Sequence, residues 1–72
     1  MLKPGLYRHY KGNLYRLLFL ARHTESMENM VIYQDAKDSD KIWARPAAMW
    51  EETVRIDGKE IPRFEFLSGG EE

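Results

Sequence analysis

Seventy-two residues, 43% hydrophobic and 32% charged, make one small folded domain and exclude both a disordered chain and two separate cores. There is no cysteine and there are two histidines, which excludes disulfides and thiolate zinc sites and fits a reducing cytosol. The net charge of −1 is uneven: residues 1–24 hold five bases and no acid, residues 25–72 six bases against twelve acids, which allows a basic face able to meet an anion, while pairing of the two halves' charges in the folded domain is the structural alternative.

Turn signals punctuate the chain at short intervals. "GLYRHY" reads as an aromatic-rich strand that ends at "KGN", where Gly12-Asn13 is a tight-turn pair. "LYRLLFLAR" follows, apolar at consecutive positions from Leu17 to Ala21, the pattern of a strand buried on both sides or curling through a barrel. "HTESMEN" is a polar connection, "MVIYQDA" a β-branched and aromatic strand, and "KDSD" a turn. "KIWARP" is a strand halted by Pro46, and "PAAMWEE" holds one helical turn, since proline suits the first helical position. "TVRI-DGK-EIPRFEFL" is a hairpin with Asp57-Gly58 at its tip, and Pro62 in it requires an edge or a bulge.

The fold class is therefore mostly all-β: one strongly bent antiparallel sheet of five to six short strands. An SH3-like barrel over residues 1–67 comes ahead of an OB-type barrel, with at most one helical turn near residues 46–52. "SGGEE", residues 68–72, is expected to fray. No stretch approaches the roughly 18 apolar residues of a membrane span, and the N-terminus lacks a signal-peptide run, so a cytoplasmic protein is expected.

Strand parity sorts the polar residues. If the aliphatics Ile42 and Ala44 point inward, Trp43 and Arg45 point outward, as does Arg63 opposite Phe64 and Phe66. An outward tryptophan beside arginine suits stacking on a base or binding an anion; capping the barrel's open end, with arginine paired to glutamate, is the structural alternative. His9 and His23 are the proton-transfer candidates, and Glu25 and Glu28 lie within five residues of His23. That spacing is not diagnostic of a metal, and no metal or cofactor is assigned. Thr24 and Ser26 flank His23 without a nucleophile elbow. Tyr7, Tyr10 and Tyr15, interleaved with Arg8, Lys11 and Arg16, could stack bases and neutralise phosphates, although strand tyrosines also simply pack.

The runs "GLYRHYKGNLYRLLFLARHTESMENMVIYQ", "WARPAAMWEETV" and "GKEIPRF" together resemble the DUF1653 family of small bacterial proteins, from Pro4 to about Leu67. Trp50 stands where the family pattern more often has phenylalanine, and Ser26 where threonine is typical. The family's function is unassigned, so the resemblance implies a compact β-domain and no reaction. It also implies that Arg8, His9, His23, Thr24, Glu25, Glu28, Arg45 and Arg63 belong to one pattern. With Trp43, these form the expected ligand site. The arginines would neutralise charge, the histidines donate hydrogen bonds, and Glu25 and Glu28 orient the arginines or hold them in a structural network. The expected function is a binding module for nucleic acid or a nucleotide-like anion, as a monomer or weak homodimer. The alternatives are a subunit that docks a protein partner, and a small hydrolase with His23 as base and Glu25 as its orienting partner.

Overall fold

The computed structural model describes residues 2–69. It contains seven strands and one short helix: β1 (Gly5–His9), β2 (Leu14–Arg22), β3 (Asn29–Asp35), β4 (Ile42–Pro46), α1 (Ala47–Trp50), β5 (Thr53–Ile56), β6 (Lys59–Pro62) and β7 (Phe64–Gly69). Five strands make one antiparallel sheet in the order β4-β3-β2-β1-β7, and β5–β6 form a separate hairpin. The chain thus meanders from β1 to β4, crosses through α1 and the hairpin, and returns β7 to the free side of β1. Among the described residues no ladder joins β4 to β7, so the mostly-β sheet does not close into the expected barrel.

Local chemistry explains most element boundaries. Asp57 and Gly58 both have positive φ, 53° and 78°, the two left-handed residues of a type I′ turn, whose twist matches the strands it joins. Tyr10–Asn13 connect β1 to β2, with the His9 N–H donating to the Asn13 carbonyl at 2.8 Å and the Gly12 N–H to the His9 carbonyl at 2.7 Å. Pro46 ends β4 and stands one residue before α1, as its N-cap rather than its first helical residue. Gly5 lies where β1 and β7 approach closely: at φ +149°, a Cβ there would sit 2.3 Å from the Ser68 carbonyl oxygen.

The predicted arm "EIPRFEFL" is two strands. The chain bends at Arg63, whose N–H donates to the Glu52 carbonyl and whose carbonyl accepts the Tyr10 N–H, each at 2.9 Å. Those bonds tie the base of the β5–β6 hairpin to the end of β1 and send β7 into the main sheet. β7 continues to Gly69, two residues into the stretch expected to fray; residues 70–72 lie outside the described residues.

One face of the sheet carries the core: Tyr7, Leu17, Val31 and Tyr33, with Phe64 from β7 and Trp50 from α1 laid over them. Trp50 stacks on Phe64 with ring centroids 3.7 Å apart and planes 2° from parallel. Tyr7 and Tyr33 meet Trp50 edge-on at 5.3 and 4.9 Å. Four of the six core residues are aromatic, so a chain this short gains a large buried area from few positions.

The run Leu17–Ala21 is not buried on both sides. A bulge shifts the β2–β3 register between Leu17 and Phe19, so Leu17 faces the core, while Phe19 turns to the outer face and is 56% exposed. Cross-strand pairing places Phe19 beside Ile32, Ile32 beside Ala44, and Ala21 beside Met30, giving the outer face an apolar band. Its edge residue Ile42 is 53% exposed.

Candidate functional site

The register of β4 reverses the parity expected from its aliphatics. Trp43 pairs with Tyr33 and Arg45 with Val31, so tryptophan and arginine lie on the core side, while Ile42 and Ala44 lie outside. The correction has a physical cause. In a domain with an aromatic core, Tyr33 and Val31 set the inner side of the neighbouring strand, and Trp43 gains two tyrosine neighbours by joining them. Its ring lies 5.5 Å from Tyr33 and 6.0 Å from Tyr15, yet it remains 40% exposed at the rim of the core.

Arg45, two residues along the same side of β4, is half-buried. Its Cζ lies 5.8 Å from the centroid of the Phe64 ring, within reach of a cation–π contact. Among the described residues its side chain has no carboxylate and no hydrogen-bond partner, and its buried Nε is unsatisfied. Arg63, at the bend before β7, donates from Nη2 to Glu52 Oε1 at 3.1 Å, while its own Nε is likewise buried without a partner. The Trp50 indole N–H is a third such donor. All three unmatched groups are donors, and buried donors ordinarily find acceptors.

His9 joins this cluster from the end of β1. Its ring packs 4.9 Å from Phe64, 4.5 Å from Tyr10 and 6.4 Å from Tyr15. Nδ1 accepts the Lys11 N–H at 3.2 Å, which leaves the neutral ring's hydrogen on Nε2. Burial, and then the charges of Arg63, Lys11 and Arg45, hold the imidazole below its ordinary range. The three cations come from three separate parts of the chain and converge on one ring. Beside His9, a cleft of about 340 Å³ opens between the end of β1 and the hairpin, lined by Arg8, His9, Tyr10, Ile61, Pro62 and Glu65.

The fold does not gather all the polar residues of the expected site. Arg8 stands on the outer face of β1, where Nη2 donates to Glu65 Oε1 at 3.4 Å, an exposed pair worth about 0–1 kcal/mol. His23, Thr24, Glu25 and Glu28 occupy the β2–β3 loop, at the far end of β2 from the β1–β2 turn. There the His23 Nδ1 accepts the Glu25 and Ser26 N–H groups at 3.1 and 3.3 Å, Thr24 Oγ1 donates to Glu25 Oε1 at 2.8 Å, and Ser26 Oγ donates to Glu28 Oε1 at 3.0 Å.

Glu25 Oε1 also lies 3.5 Å from Nδ1. Nδ1 thus faces two backbone N–H groups as well as that carboxylate, the pattern of a turn cap. Among the described residues neither Glu25 nor Glu28 pairs with an arginine; Glu52 holds Arg63 instead. Among the described residues no three histidine or carboxylate groups assemble as a metal site.

Sequence reasoning missed Glu52, Phe64 and Trp50 as parts of the site. Nothing in the spacing links Glu52 to Arg63 across the hairpin. The stacking of Trp50 on Phe64 depends on where α1 crosses the sheet.

Comparison with known proteins agrees with this architecture. Over 99% of its length the chain is similar to the crystal structure of a DUF1653 protein from Bordetella bronchiseptica, at 36% identity and a TM-score of 0.83, covering 94% of that chain. No curated protein matches the chain. The model of DUF1653, described as a protein of unknown function, matches residues 5–66, and the chain belongs to that family.

Proposed function

We propose that this domain is a binding module whose core-side rim takes an anionic ligand with a planar group: nucleic acid or a nucleotide-like molecule. The observation that carries the reading is Arg45, a cation held against Phe64 with no carboxylate partner among the described residues, next to an exposed Trp43. A half-buried guanidinium without a counter-charge is costly unless an anion visits it. Arg63 and Lys11 add positive potential on the His9 side of the cluster, and the Nε2–H of His9 supplies a neutral donor. Arg8 and the His23–Glu28 loop lie outside this arrangement and act on structure or turn geometry.

The test is an amide-detected NMR titration of the labelled domain with a short single-stranded oligonucleotide at low and moderate salt. Shifts are expected at His9, Trp43, Arg45 and Arg63, and they shrink as salt rises. If Arg45→Ala and Arg63→Ala fold normally and bind the oligonucleotide with unchanged affinity, the reading is wrong.

A further inference from the structure

Resting on that reading of the rim, we propose that its ligand is an unstacked single strand of nucleic acid, with one base on Trp43 and a phosphate of the same strand on Arg45, rather than a duplex.

Three observations select this class. First, Trp43 packs on Tyr33 and Tyr15 from within and is 40% exposed, so part of the indole is available to a flat partner. Bases in a duplex are covered by their neighbours, whereas single-strand readers stack free bases on such rings.

Second, Trp43 and Arg45 are alternate residues on one side of a strand, which sets them about 6.6 Å apart along it. That spacing lets one side chain meet a base while the other meets a phosphate of the same strand. Among the described residues β4 is an edge of the sheet, with no further strand alongside it to obstruct a chain running past.

Third, few cations are available. Of the arginines and lysine around His9, Arg63 pairs with Glu52, and Arg8 pairs with Glu65 on the other face, which leaves Arg45 and Lys11 without a carboxylate partner among the described residues. Arg45 is half-buried with Nε covered by protein and does not project as a groove reader must. Among the described residues this small group of cations, with Arg63 already shared with Glu52, matches one or two phosphates of a strand better than the doubled phosphate lines of a duplex.

The experiment measures tryptophan fluorescence and affinity for an eight-residue oligothymidylate, a duplex of equal length and thymidine monophosphate. It uses the intact chain, Trp43→Leu and Arg45→Ala, with the buried Trp50 reporting that each variant is folded. The single strand is expected to quench Trp43 and to bind at least about tenfold tighter than the duplex. Trp43→Leu should weaken it by about 5- to 100-fold, the range for one stacked base. The log–log salt slope should be near −1.4, for about two phosphates.

Equal affinity for duplex and single strand overturns the proposal. So does a Trp43→Leu variant that binds as tightly as the parent while Arg45→Ala does not; in that case the rim remains an anion site and the base-stacking inference alone fails. Thymidine monophosphate binding as tightly as the octamer also overturns it, and makes the ligand a free nucleotide. Binding of none of the three probes removes the reading of the rim itself, and this inference with it.

Discussion

The two histidines occupy closely similar local structures and belong to very different parts of the molecule. His9 ends a strand and His23 follows one, each opens a turn, and the Nδ1 of each accepts the backbone N–H two residues on, Lys11 for His9 and Glu25 for His23. His9 then meets three aromatic rings and the field of three cations. His23 meets a carboxylate and an exposed turn. The turn motif is written in a few adjacent residues; the surroundings are supplied by β7, β4 and the bend at Arg63. A shared local motif therefore says little about chemical role until the long-range register is known.

The sharpest way to break the contrast is to remove the ring on which His9 rests. Phe64→Ala takes away the partner of Trp50 as well and should cost about 3–5 kcal/mol, enough to unfold much of so small a domain, as urea denaturation would show. Arg63→Ala acts next, at about 1 kcal/mol for a partly exposed pair. It should also raise the His9 titration midpoint toward its ordinary value, read from the ring C–H shifts by NMR. A midpoint left where it was in the parent would show that Arg63 takes no part in the depression, leaving it to burial, Lys11 and Arg45.

The pH dependence of stability sharpens the same point. The fold disfavours the protonated form of His9, while the unfolded chain takes a proton near 6.5, so between the folded and unfolded values the unfolded state binds more protons. The His9 contribution is therefore complete above about pH 6.5 and is lost as pH falls through that value toward the depressed folded one. His9→Gln should flatten this slope in chemical denaturation followed from pH 7.5 downward. The smallest effect belongs to the other end. His23→Ala loses an exposed turn acceptor and should cost about 0.5–1 kcal/mol, with no change in oligonucleotide affinity.

Much of the strand plan was readable from the chain, because turns are local chemistry. Asp57-Gly58, Gly12-Asn13 and Pro46 each fall where the backbone turns. The faces of the strands were harder to read. Ile42 looked like a core residue and Arg45 like a surface one, and the pairing of β4 with Val31 and Tyr33 puts each on the opposite side. The apolar run through Leu17–Ala21 concealed a bulge, since a continuous pattern carries no sign of where one residue steps out of register. Arg45 and Arg63 were legible as site residues from their type and their family pattern. Their meeting with His9 around Phe64 required β7 to return beside β1, a contact across more than fifty residues.

That return of β7 also orders events during synthesis. As the chain leaves the ribosome, β1 to β4 can zip in sequence by neighbouring hairpins, each pairing with a strand made moments before. The second side of β1 has no such neighbour. It stays open until residues 64–69 have cleared the exit tunnel, and the Phe64 ring that completes the core arrives with them. A chain truncated just before Phe64 should thus be a collapsed meander with an unfinished edge, the species most in need of protection from its neighbours.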